Sequence, residues 1–215
     1  MMVEITLIDQ TKSLFYASTV EEPLQTCLNQ GYTPRDMITL TDERIAAENH
    51  SSLWSNWLTS TSIRATGYTK QGNAVVVYEH QHPTNQFADP ARVIQAKQEG
   101  LINYAARLSP EEFQAMVDAD EKTDAKGNRL VWVGDYEKHR KAHSGVISID
   151  QALDHPQTVP FLGEEQRAQK YLQRYKEVFK KNMIGIWWHY KDLHRETPIA
   201  RMLSLGCTTY YALNG

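Results

Sequence analysis

The sequence predicts an α+β fold, a mixed β-sheet containing a central antiparallel hairpin at about 61–81, with several helices packed on it. Two β-rich runs, 61–69 and 74–81, flank Lys70-Gln71-Gly72-Asn73, a turn carrying the glycine that such a loop needs. Strand-like and helix-like segments alternate along the rest of the chain, and the helix starts carry clear capping signals. A hairpin forces one antiparallel pair, which argues against a doubly wound parallel sheet.

The elements follow in order. Val3, Ile5 and Leu7 alternate with Glu4 and Thr6, a first strand with no basic region of the secretory kind before it. Thr33-Pro34 reads as a helix start. Trp54 and Trp57, with Leu53 and Leu58, mark an apolar helix end. Asp89-Pro90 opens a helix with Ile94, Leu101, Ala105 and Leu108 as its stripe. Ser109-Pro110-Glu111-Glu112 has a Ser cap, Pro at the first helical position and Glu three residues on, and the helix it opens aligns Phe113, Met116 and Val117. Strand candidates follow at 129–134, 145–149 and 183–189. Ser148 and Gln151 spell a capping box. In 164–181, Ala168, Tyr171, Leu172, Tyr175, Val178 and Phe179 fall at helical spacing, with acids at the start and lysines at the end, as the helix dipole favours. Thr197-Pro198 repeats the Thr-Pro helix start. No linker divides the chain, so 1–215 reads as a single domain, with a soft boundary near the polar segment 118–128.

Hydrophobic residues make up 41% and charged residues 23%, a balance that excludes disorder by composition. No apolar run approaches the roughly 18–20 residues that span a bilayer. Cys27 and Cys207 are too far apart for a redox pair or a disulfide framework, so reduced thiols and a cytoplasmic location are expected. Dinucleotide, phosphate-loop and serine-hydrolase motifs are absent.

Histidine spacing supplies the leading chemical expectation. His80 and His82 lie at i and i+2 at the end of the 74–81 run, on one face with Val76 and Tyr78 if the strand continues. Two imidazoles so placed can share a zinc or manganese ion, which then needs a third and often a fourth donor. His139 and His143, at i and i+4 in a short helical segment, are the candidates; His189 and His194 form a looser pair. Such a centre makes a metal-dependent hydrolase acting on a small molecule, with a metal-bound water as nucleophile. Against it, Lys138, Arg140 and Lys141 surround His139, and no Glu stands next to it as in H-E-x-x-H helices.

Two other readings stand beside it. Residues 1–128 hold 10 Lys/Arg and 17 Asp/Glu, a balance of −7, and residues 129–215 hold 13 and 9, a balance of +4. The basic half would suit a nucleic-acid accessory protein, with Lys138, Arg140, Lys141, Arg167, Lys170 and Arg174 on phosphates and the Trp187/Trp188 strand stacking bases. A non-catalytic interaction or assembly subunit, as a homo-oligomer and with no membrane partner, is the third. The segment Asp118–Asn128 is discounted as a calcium loop, since Lys122 and Thr123 stand where a ligand and a glycine are required. Ser60-Thr61-Ser62 resembles the Ser-Thr-Ser of ADP-ribosyltransferases over three residues. Glu79-His80-Gln81 supplies one acid where those enzymes carry a pair, so that activity is not carried over.

Overall fold

The computed structural model describes residues 4–7, 13–16, 21–81, 87, 89–103, 105–142, 144–186 and 193–205. The glycine turn at Gly72 folds β3 (Leu58–Tyr68) back on β4 (Ala74–Glu79) as an antiparallel hairpin, with Ala65 opposite Val77 and Arg64 opposite Tyr78. This hairpin is the middle of a five-stranded sheet. β6 (Val131–Asp135) pairs with β4, β9 (Ile199–Leu205) pairs with β3, and the two-residue β5 (Ala106–Arg107) lies outside β9. Every ladder among the described strands is antiparallel, where the expectation was a mixed sheet. Two small ribbons stand apart: β1 (Glu4–Leu7) with β2 (Ser13–Tyr16), and β7 (Gly145–Ser148) with β8 (Met183–Ile186).

Strand alternation sends side chains into two cores. One face carries Val76, Tyr78, Leu203 and Leu205. It is covered by α2 (Met37–Ala46), α3 (Ser52–Ser55), α6 (Tyr136–Lys141), α7 (Ile149–Ala152), α8 (Thr158–Leu162) and α9 (Glu165–Phe179). The other face carries Ile63, Ala65, Val77, Val131 and Ala200, covered by α4 (Pro90–Gln98) and α5 (Pro110–Asp118). The remaining helix, α1 (Glu21–Asn29), buries Leu24 and Cys27.

Several sequence expectations hold at the level of single bonds. Ser109 and Glu112 form the full capping box at α5, as do Ser148 and Gln151 at α7. Asp89 caps α4, and α9 buries Ala168, Tyr171, Leu172 and Tyr175 on its inner face. Others are corrected. The helix opened by Asp89-Pro90 stops at Gln98, because Gly100 takes a positive φ of 84° and turns the chain; Ala106 and Arg107 are then strand. Thr197-Pro198 precedes strand β9 rather than a helix. α3 ends at Ser55, so Trp54 is buried at 1% while Trp57 is 48% exposed. Trp187, Trp188 and His189 lie outside the described residues, and β8 is described only through Ile186.

Candidate functional site

The polar residues that the sequence marks as chemical gather inside the fold, around an irregularity in β3. Thr59 pairs with Ser204, but Ile63 pairs with Met202, so Ser60, Thr61 and Ser62 bulge out of the ladder to β9. All three are buried. Ser60 Oγ donates to the Leu203 carbonyl at 3.0 Å, and the Thr61 N–H donates to the Arg35 carbonyl at 2.9 Å. Ser62 Oγ accepts the Met37 N–H at 2.8 Å, taking one of the orphan donors in the first turn of α2. Asp36, the cap of that helix, accepts the Thr39 N–H at 2.6 Å.

His80, the residue after β4, closes this network. Its Nδ1 lies 2.9 Å from Ser62 Oγ and its Nε2 lies 2.8 Å from the Pro160 carbonyl oxygen in α8. A carbonyl only accepts, so Nε2 carries the proton and Nδ1 accepts from the Ser62 hydroxyl. A continuous relay results, from the Met37 N–H through Ser62 and His80 to Pro160. Burial pushes the His80 pKa down to about 4, with the Pro160 carbonyl and Asp36 opposing that shift and Arg167 adding to it. The ring is neutral at neutral pH. Both of its nitrogens are spent on protein groups, and its side chain is fully buried.

His139 sits in a separate place. Its Nδ1 donates to the Asp135 carbonyl at 2.8 Å, and its ring packs on Tyr78 with centroids 5.9 Å apart. Gly134 makes room for it, since a Cβ there would come within 2.7 Å of the imidazole. Burial also lowers the His139 pKa.

The expected row Val76, Tyr78, His80, His82 does not continue as a strand. β4 ends at Glu79, and Gln81 takes a left-handed φ of 45°. His82 and His143 lie outside the described residues. Among the described residues, no group of three or more His, Cys, Asp or Glu is placed to hold a metal ion. The discounted calcium loop is closed on itself: Asp124 accepts from the Lys126 and Asn128 amides, and Asp120 accepts from Arg129.

Burial and pairing engage the three arginines of the expected basic face. Arg167 is 6% exposed. It donates to Asp42 Oδ1 at 2.7 Å and Asn128 Oδ1 at 3.0 Å, tying α9 to α2 and to the 124–128 loop. Arg174 bonds the Ala47 carbonyl and pairs with Glu177, and Arg140 pairs with Glu137. Lys138, Lys141 and Lys170 are exposed. Sequence reasoning missed Arg44, which is buried at 0%. It donates to the Tyr171 hydroxyl at 3.2 Å, the Asn56 carbonyl at 2.8 Å and the Leu205 carbonyl at 3.4 Å, and stacks over Trp54. Its only sequence signal is a cation on the apolar side of α2.

These interior anchors and the antiparallel sheet define an α+β scaffold pinned from within. No family model and no curated protein matches the chain. A solved structure described as "Accommodation of massive sequence variation in Nanoarchaeota by the C-type lectin fold" is 42% identical to it. The match covers 94% of this chain and 90% of that one, with a TM-score of 0.80. At that identity and coverage, the chain belongs to the same C-type lectin fold family. This membership, with the lack of a metal-holding group among the described residues, overturns the metal-dependent hydrolase reading. It also points away from nucleic-acid binding, in agreement with the burial of Arg167. Among the described residues, no helix is long and apolar enough to cross a membrane.

Proposed function

We propose that this chain is a ligand-binding module in which a C-type lectin scaffold tolerates change at its exposed positions while its interior is held fixed. The observation that carries the reading is the 42% identity, over 94% of the chain, to a protein described as accommodating massive sequence variation on this fold. The interior supports it. Arg44, Arg167 and the Ser62–His80 relay tie α2, α8, α9, β3 and the end of β4 together, and the Arg44, Arg167, Ser62 and His80 side chains are themselves buried. A scaffold fixed by buried polar geometry leaves its surface side chains free to serve recognition, because surface substitutions away from such anchors change stability by only about 0.5 kcal/mol.

Location in the cytoplasm belongs to this proposal and rests on the reduced thiol of Cys27, which is buried and unbridged. A zinc or manganese ion, if one is taken up, draws its donors from elsewhere than His80, whose two nitrogens are engaged.

The test is a displayed library. Exposed positions of α9 and α6, among them Lys138, Lys170, Gln173 and Lys176, are randomised and selected against several unrelated purified proteins. The reading expects folded members in most of the pool and specific binders among them. A pool that is mostly unfolded, or folded and devoid of binders, contradicts it.

A further inference from the structure

We infer that the outer face of the β7–β8 ribbon, with the edges that no other described strand pairs, forms a docking site for an acidic, extended segment of a partner protein. The inference rests on the binding-module reading and names where that module engages a partner.

The five-stranded sheet protects its edges. On β6, the Val133 N–H donates to Asp120 Oδ1 at 3.0 Å, and the Val131 carbonyl accepts from Arg129 Nε at 2.8 Å and from the Glu121 N–H at 3.2 Å. The opposite edge is the two-residue β5. Short strands and side chains bonded to edge backbone are how a sheet avoids pairing with a stranger. Among the described residues, the ribbon shows no such device. Among the described residues, no loop backbone bonds the strand interiors Gly145–Ile147 or Met183–Ile186 from outside.

The ribbon is nevertheless firmly seated. Gly145 pairs with Ile186 and Ile147 with Ile184, and Ile147, Ile184 and Ile186 pack into the core beneath. The alternate pairs, Val146 with Gly185 and Ser148 with Met183, face outward. Val146 is 52% exposed and Met183 is 45% exposed. A strand added to such an edge gains main-chain hydrogen bonds and sets alternate side chains against this apolar pair.

Charge selects the partner. Lys141 stands four residues before Gly145 at one end of the ribbon, and Lys180 and Lys181 stand just before Met183 at the other. All three are exposed. The neighbouring acids in sequence are Glu137, which lies in the field of Lys141 but is paired with Arg140, Asp150 in the first turn of α7, and Glu177 near the end of α9, paired with Arg174. Lysines at both ends of a short apolar strand pair favour an extended segment that alternates acidic and β-branched residues.

The probe is a synthetic peptide of alternating glutamate and valine, titrated into the isotope-labelled full chain and read by amide chemical shifts. The expected result is perturbation centred on 145–148 and 183–186. Affinity falls roughly tenfold as salt rises from about 50 to about 500 mM, and roughly tenfold again in Lys180→Gln/Lys181→Gln, whose fold is verified by unchanged amide shifts away from the ribbon. Equal binding of the lysine–valine counterpart overturns the inference, as do shifts confined to other elements. Tighter binding of a single-stranded oligonucleotide at the same amides assigns the face to polyanions and overturns it too. Concentration-dependent self-association abolished by Val146→Lys makes the occupant a second copy, again against the inference. Binders from the library that use other surfaces while the ribbon stays silent remove this inference alone and leave the module reading standing.

Discussion

Ser62 and His80, eighteen residues apart in sequence, meet at 2.9 Å beneath the surface, and their contact joins a strand bulge to the end of the neighbouring strand. The pairing sets the acid behaviour of the fold. The His80 pKa is depressed in the folded chain, to about 4 from an ordinary 6.5, because burial disfavours the imidazolium. The unfolded chain therefore binds the extra proton between those values, and stability falls as pH drops through that window. The neutral ring's contribution is fully present above pH 6.5 and is lost toward pH 4, on the order of 3 kcal/mol. Urea unfolding at a series of pH values checks it. In His80→Gln the stability slope between pH 6.5 and 4 loses the uptake of about one proton; an unchanged slope contradicts the assignment.

Arg44 carries a stability prediction. Arg44→Ala leaves the Asn56 and Leu205 carbonyls and the Tyr171 hydroxyl without their buried donor and opens space beside Trp54. The expected cost is about 3–5 kcal/mol, seen as a fall in Tm of roughly 10 °C. Calorimetry that shows no more than a surface-sized effect would place this guanidinium outside the core.

Gly134 and His139 test the packing on Tyr78. A Cβ at position 134 would lie 2.7 Å from His139 Cε1, so Gly134→Ala costs about 1–3 kcal/mol by overpacking. Removing the ring in His139→Ala relieves the clash, so the double variant is more stable than the sum of single effects by on the order of 1 kcal/mol. Strict additivity in chemical denaturation counts against this contact.

Arg167 separates the structural role from the nucleic-acid one. Arg167→Ala strips partners from the half-exposed Asp42 and from Asn128 and lowers stability by about 1–3 kcal/mol. Fluorescence anisotropy with a labelled single-stranded oligonucleotide is expected to read the same for variant and parent. A selective loss of oligonucleotide affinity at unchanged Tm would restore Arg167 as a phosphate contact.

What was legible in the sequence is local. The Gly72 hairpin, the Ser109/Glu112 box and the stripe of α9 depend on neighbours within a few residues, and each is where the pattern puts it. The misses come from distance. His80 reads as a metal ligand until the Pro160 carbonyl, eighty residues on, is seen to take its Nε2. Arg167 reads as a phosphate contact until Asp42 of α2 claims it, and Arg44 is anchored by Tyr171 and Leu205 far along the chain. Thr197-Pro198 looks like a helix start because proline suits both a first helical turn and the residue before a strand; pairing of Ile199–Leu205 with β3 decides it. No local pattern reports a long-range partner, so the site was misread where the elements were not.

The central claim, a scaffold fixed from inside and permissive outside, is tested most directly by thermal unfolding of two multiply substituted chains. One replaces exposed Gln95, Gln98, Glu111, Lys138, Lys170 and Gln173 together with residues of different size and charge. The other replaces only Ser62 and His80 with alanine and leucine. The account predicts a cooperative transition within a few degrees of the parent for the first and a fall of roughly 10 °C or more for the second. A first chain that loses its cooperative transition, or a second that keeps the parent Tm, contradicts it.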